Sequence, residues 1–213
     1  MNVIRPVVFG VRIGFVKIEH SGFVQILGED VQLTVLARCD SNPGVKVDRR
    51  AQCEQGVQLL KIFFPSIKAL RDVLLTQLQA HRSDLSDLIY RRCHHVISEN
   101  ERVLRSVAAL QTGDLATVGR CMAESHLSLK NDYEVSSREL DIMVELAAYR
   151  EGVIGSRMTG GGFGGCTINL VRTEAVETFK RSIAEEYRRA TQLGPEIYVS
   201  RAGAGVAEIE SSS

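Results

Sequence analysis

The residues best suited to chemistry lie in one stretch, Gly155-Ser156-Arg157-Met158-Thr159-Gly160-Gly161-Gly162-Phe163-Gly164-Gly165-Cys166, which runs into the apolar segment Thr167 to Val171. Between Gly160 and Gly165 only Phe163 carries a side chain. Glycine reaches positive φ without steric cost and leaves its backbone N–H uncovered. Successive uncovered N–H groups form a concave, electropositive nest that suits a phosphate. An ordinary hairpin needs about one or two glycines, so this loop holds more than a turn requires. Thr159, Gly160, Gly161, Gly162, Phe163, Gly164 and Gly165 are the candidate phosphate-facing, nucleotide-binding residues. A flexible hairpin turn is the competing reading.

Other chemistry-bearing side chains are less pointed. Asp132 and Glu134 can be offered as a catalytic base, but their place at a helix junction fits solvated or capping carboxylates better. His126 reads as a packed or hydrogen-bonded histidine. His94 and His95 are adjacent on a helix and point in different directions, so they make no metal pair. Met158 and Phe163 suit either a nucleotide wall or the core. No catalytic and no metal-ligating residue is assigned.

The elements that must position the loop change character along the chain. Residues 1–40 read as short strands: Val3 to Phe9, Val11 to Ile18, Gly22 to Leu27 and Val31 to Ala37, punctuated by Pro6, Gly10, Gly14 and Gly28. Ser41-Asn42-Pro43-Gly44 is a turn. From Asp48 to about Arg150 the spacing becomes helical. Arg49 to Phe64 is one helix, stopped by Pro65. Ser86 to Gln111 is the clearest, with Leu88, Ile89, Cys93, Val96, Ile97, Val103, Leu104, Val107 and Leu110 as its stripe. Asp114 can cap the next. Ser136 and Glu139 then read as a capping box for a helix that Gly152 closes. Strands enter and leave the glycine loop, Thr173 caps a helix to about Thr191, and Glu196 to Arg201 is a last strand.

The bulk properties narrow the class. Lys+Arg and Asp+Glu balance at 26 each, and the pI is near 7.0, which argues against a nucleic-acid or acidic-membrane surface. Five dispersed cysteines with no Cys-x-x-Cys pair read as reduced thiols. No apolar run reaches signal-peptide or membrane-spanning form. A cytoplasmic protein is the expectation.

The segment Arg157 to Cys166 resembles the third motif of the galactokinase branch of the GHMP sugar kinases. Three further stretches agree in order. Arg49-Arg50-Ala51-Gln52-Cys53-Glu54 is similar to that family's Arg-Arg-x-x-Cys-Glu helix start. Tyr90-Arg91-Arg92-Cys93-His94-His95-Val96 with Glu99-Asn100 resembles its long central helix. Glu124-Ser125-His126 with Ser128-Leu129, then Asp132-Tyr133-Glu134-Val135-Ser136, resembles the segment before the capped helix. The likeness runs roughly from Asp40 to Ala204.

The resemblance implies an α+β fold of the GHMP-kinase C-terminal kind: a ferredoxin-like sandwich of antiparallel sheet and helices, with extra helices and a short strand-rich segment before it. Residues 1–40 would be that segment, a candidate remnant of the N-terminal kinase lobe; 41–206 the C-terminal domain; 207–213 a loose tail. It also implies ATP-dependent phosphorylation of galactose at C1, with Mg²⁺. The departures are specific. The family's Pro-x-x-x-Gly-Leu-Ser-Ser-Ser-Ala phosphate loop and its Met-Asp-Gln segment with the catalytic aspartate are not found. Arg12 to Phe23 resembles the sugar-contacting first motif only faintly. Lys46 stands where the family has a sugar-binding tyrosine, and the Asp40-Ser41-Asn42 connection is shorter. The expectation is a truncated form without turnover of its own, prone to self-associate or to dock on an N-terminal lobe. A non-catalytic sugar- and nucleotide-binding regulatory module, or an inert remnant, are the alternatives.

Overall fold

The computed structural model describes residues 30–37 and 49–200. The strands expected between Val3 and Leu27, the Arg12 to Phe23 stretch, the Ser41 to Gly44 turn, Lys46, Cys39 and the tail from Gly203 lie outside them. The elements are β1 (Val31–Ala37), α1 (Arg49–Leu60), α2 (Leu75–Ala80), α3 (Asp87–Gln111), α4 (Leu115–Asn131), α5 (Arg138–Ala148), β2 (Val153–Thr159), β3 (Cys166–Arg172), α6 (Val176–Thr191) and β4 (Glu196–Ser200).

The strands form one antiparallel sheet in the order β2-β3-β1-β4. β1, which the sequence groups with the first forty residues, is an inner strand. It pairs with β3 from Val31↔Arg172 to Ala37↔Cys166 and with β4 from Leu33↔Ser200 to Ala37↔Glu196. Successive strand residues point to opposite faces, and both faces are packed. Leu36 meets Met143, Ala147, Val171 and Phe179 under α5 and α6, while Val31 meets Ala109, Leu110, Val118 and Leu170 beside α3 and α4. The face under α5 and α6 also buries a polar row, Ser156, Asn169 and Thr34, in register across three strands. Asn169 Nδ2 donates to the Thr34 carbonyl at 3.1 Å.

Local sequence explains the helix ends. Ser86 accepts from the Ile89 N–H, Asp87 sits in the first turn, and α3 starts there. Asp114 accepts from the Thr117 N–H at 3.0 Å and starts α4. The cap of α5 lies one residue later than the spacing indicates: Ser137 accepts from the Leu140 N–H, while Ser136 donates to Asp141. Thr173 opens a single 3-10 turn rather than capping α6, and Gln192 in the left-handed region ends that helix before Gly194 is reached. Val176, Phe179, Ile183 and Tyr187 are the buried face of α6, as their spacing requires.

The α3 stripe needs one correction. Leu88 and Leu104 are exposed, whereas Arg92, His95 and Ser98 are buried. The polar side chains are drawn in because α3 packs against α1 on one flank and α4 on the other, leaving little solvent face near its middle. A second core, from Leu60, Ile67, Leu70, Leu78, Ile89 and Cys93, holds α1, α2 and the first half of α3 together. The four described cysteines are free. Burial pushes the Cys93 thiol up to about 12 and raises that of Cys53, so neither is a ready nucleophile.

Candidate functional site

β2 and β3 form a hairpin closed by Thr159↔Cys166, and the glycine loop is its tip. Five of its six residues have positive φ: Gly160 at 86°, Gly162 at 80°, Phe163 at 57°, Gly164 at 110° and Gly165 at 122°. The Phe163 N–H donates to the Val135 carbonyl at 2.8 Å, which ties the loop down at one point. Gly162 must be glycine there, because a Cβ would overlap that carbonyl oxygen and lie 2.8 Å from the Val135 Cβ. A Cβ on Gly160 or Gly161 would meet nothing within 4 Å. Among the described residues, the glycine amides around Phe163 have no protein acceptor. The Phe163 ring packs on Val135, Leu140 and Met158. Met158 is wholly buried and belongs to the core, not to a ligand wall.

The anchor of the loop is the turn Asp132 to Val135. Glu134 has φ 54° and lies between three arginines. Arg49 donates to its carbonyl at 2.9 Å, Arg91 pairs with Oε1, and Arg92 pairs with Oε2 at 2.5 Å. Arg91, and then Arg92, hold the Glu134 carboxyl below the usual carboxylate range. A carboxylate so committed is a poor proton acceptor, which removes Glu134 from the candidate bases. It is an ion-paired anchor whose side chain is still 40% exposed. Asp132 ends α4, accepts from Ser128 Oγ at 2.8 Å and faces His94 Nδ1 at 3.0 Å. Both carboxylates therefore serve the turn.

The hairpin is held from behind by side chains of α3 and α4. Arg157 reaches Glu99 at 3.2 Å, and Glu99 accepts from Ser125 Oγ at 2.7 Å and from Arg102. Burial raises the Glu99 carboxyl, but Ser125, Arg157 and Arg102 outweigh it and the net shift is downward. His126 Nδ1 accepts from the Met158 N–H at 3.3 Å, which leaves the proton on Nε2, 3.3 Å from Asp141. This histidine is a strap across β2, not an acid–base group.

His95 pairs with Ser128 Oγ at 3.0 Å and stacks on Tyr133 with ring centroids 4.5 Å apart. Burial pushes its imidazole from 6.5 down to about 4. An unfolded chain takes up that proton as pH falls through about 6.5, whereas the folded chain takes it up only near 4. Acid therefore favours unfolding across that window, and the site contributes about 2 kcal/mol of lost stability between pH 7 and pH 5. Urea unfolding at the two pH values should show a smaller loss in His95→Gln than in the parent chain.

Among the described residues, no group of three or more His, Cys, Asp or Glu is arranged to hold a metal ion. A groove of about 450 Å³ beside Glu134, lined also by Lys130, Ser137, Arg138 and Asp141, has none of the loop glycines in its wall. Gly160 and Gly161 thus lie at an open part of the tip, while Gly162 and Phe163 are seated on Val135.

Comparison with known proteins decides the lineage. Residues 106–189 match the family of GHMP kinases C-terminal domains. The chain is 47% identical over 161 residues to the galactokinase of Roseiflexus sp. (strain RS-1), an alignment taking 76% of this chain and 41% of that protein. Against the galactokinase of Pasteurella multocida (strain Pm70) the identity is 43% over 162 residues, with 74% and 41% covered. The fold matches the crystal structure of Lactococcus lactis galactokinase complexed with galactose at a TM-score of 0.73 and 27% identity, covering 84% of this chain and 47% of that one. Residues 106–189 are thus a GHMP-kinase C-terminal domain, and about three-quarters of the chain is similar in sequence to galactokinases. The chain spans about two-fifths of the length of the curated relatives it matches.

As a GHMP-kinase C-terminal domain, it has the α+β architecture that its motifs imply. The galactokinase-like stretches also meet in space: Arg49 of the first, Arg91 and Arg92 of the second and Glu134 of the third converge behind the glycine loop. This arginine cluster is not evident from the sequence, since charged residues on a helix are ordinarily solvated. The available signal was Arg91-Arg92 beside the apolar positions Ile89 and Cys93. Among the described residues, no helix is long and apolar enough to cross a membrane.

Proposed function

We propose that this chain supplies the phosphate-facing wall of a galactokinase-type site, in the cytoplasm, where ATP phosphorylates the C1 hydroxyl of galactose with the help of Mg²⁺. The observation that carries the proposal is the glycine loop: successive amides at positive φ, uncommitted and held open by one docking bond. Phosphoryl transfer needs positioned phosphates, neutralised charge and an oriented acceptor. Thr159 to Gly165 can serve the first two by donating backbone N–H groups to phosphate oxygens, with no side chain in the way. Orientation of the sugar and the catalytic carboxylate belong to groups of a facing lobe, on which this domain docks. ATP, galactose and Mg²⁺ are the ligands of the assembled site.

Two tests separate the parts of this reading. Substituting residues 49–200 for the matching segment of the Roseiflexus galactokinase should preserve ATP-dependent galactose phosphorylation; a chimera that folds but is inactive would count against it. The 213-residue chain alone should show no galactose-dependent ADP release, since its sequence has neither the Gly-Leu-Ser-Ser-Ser loop nor the Met-Asp-Gln segment. Turnover that Gly161→Val abolishes would contradict that expectation.

A further inference from the structure

We infer that Glu134 is the positioning residue of the glycine loop: held by arginines from two helices, it sets the turn on which the loop docks. The functional consequence rests on the phosphate-facing reading of the loop; the positioning does not.

Glu134 occupies the left-handed region at φ 54°, a conformation that a long side chain keeps only when its surroundings over-determine it. Here they do. Arg49 of α1 fixes the backbone by donating to the Glu134 carbonyl at 2.9 Å. Arg91 and Arg92 of α3 fix the side chain by taking one carboxylate oxygen each. Arg92 is wholly buried, and its other nitrogens donate to Gln52 Oε1 at 2.8 Å and to the Asp132 carbonyl, so it cannot swing away. One residue is thereby fixed at three atoms.

The next residue transmits this. The Val135 N–H donates to the Leu129 carbonyl at 3.0 Å, and its own carbonyl receives the Phe163 N–H at 2.8 Å. Glu134 thus fixes the peptide that carries the Val135 N–H, and the carbonyl that Gly162 rests against is on the same residue, one peptide further on. Rotation at Glu134 out of the left-handed region turns the Val135 carbonyl away from Phe163, and the loop loses its single docking bond. Ion pairs that merely tied the turn to α1 and α3 would act otherwise: their loss would weaken the domain as a whole, without singling out the loop.

Backbone hydrogen exchange on the full chain distinguishes the two. In Glu134→Gln the Phe163 amide should exchange at least about tenfold faster than in the parent, the size expected when a local bond opens apart from global unfolding. The Ile183 amide in α6, remote from the turn, should keep its rate. Arg91→Gln leaves Arg49 and Arg92 in place and should give a smaller acceleration at Phe163; it carries the test if Glu134→Gln does not fold. Unchanged Phe163 exchange in both variants, or acceleration matched at Ile183, would overturn the inference. Titration of the parent with Mg-ADP is the separate check: Glu134-dependent protection at Phe163 without nucleotide shifts at Gly160 to Gly165 would overturn the phosphate-facing reading and leave the positioning role standing.

Discussion

Gly162→Ala should free the glycine loop while leaving most of the domain folded. Alanine at φ 80° costs on the order of 1 kcal/mol by itself, and its Cβ would overlap the Val135 carbonyl oxygen. Two responses are open. Either the Asp132 to Val135 turn gives way, which the arginine cluster opposes, or the hairpin tip lifts off. Lifting loses the Phe163 bond, about 1 kcal/mol, and part of the Phe163 packing, and it is the cheaper route. The domain should lose about 1–2 kcal/mol, and the Phe163 amide should lose its protection. Gly161→Ala is the matched control. Its φ is ordinary and a Cβ there meets nothing within 4 Å, so its effect should stay within about 0.5 kcal/mol. Equal losses in the two variants, measured by urea unfolding, would show that the loop is not docked at Gly162.

A second substitution should do more damage although it favours the helix. In an open helix, Gly→Ala gains about 1 kcal/mol. Gly119, however, faces β2 at the closest approach of α4: a Cβ would overlap the Ile154 carbonyl oxygen and lie 3.0 Å from its carbon. The opposing Gly155 has the same restriction, with a Cβ 2.8 Å from the Gly119 Cα. Both obstacles are backbone, so no rotamer relieves them. α4 cannot lift away without opening Val118, Cys121, Ser125 and His126, all buried along its length. Gly119→Ala should therefore destabilise by about 2 kcal/mol or more after the propensity gain. For a domain of this size the Tm should fall by roughly 4–8 °C. An unchanged or raised Tm would mean that α4 and β2 do not pack this closely.

What the sequence showed and what it hid follow from how far each signal reaches along the chain. Helices α3, α4 and α6 were legible because their apolar spacing, capping residues and length are local properties: Ser86 and Asp114 cap where they should. The spacing places the α5 cap one residue early because Ser136 and Ser137 are adjacent hydroxyls. Only the position of Asp141 decides which one faces the helix end. β1 read correctly as a strand, but its place between β3 and β4 depends on partners more than a hundred residues away.

The same distinction applies to the site. The glycine loop was visible as a motif, since its composition has few other uses. Its docking on Val135 was not, because nothing in either segment announces the other. The buried arginines were hidden for a related reason. Arg92 is tolerable at zero exposure only with Glu134, Gln52 and the Asp132 carbonyl around it, and an unpaired buried charge would be too costly to keep. The family resemblance identified the segments that meet there, and the fold shows what they do for one another.

A loop that is held on the Glu134–Val135 turn and faces phosphate should meet a nucleotide through its own amides. The most direct measurement is a titration of the isotopically labelled chain with Mg-ATP, followed at each backbone amide by NMR. The affinity of this chain alone should be weak, so the titration must extend to high nucleotide concentration. The largest shifts should fall on the amides of Gly160, Gly161, Gly162, Gly164 and Gly165, and Gly162→Ala should remove them. Shifts concentrated elsewhere, or none at the loop while another segment saturates, would contradict a phosphate-facing loop.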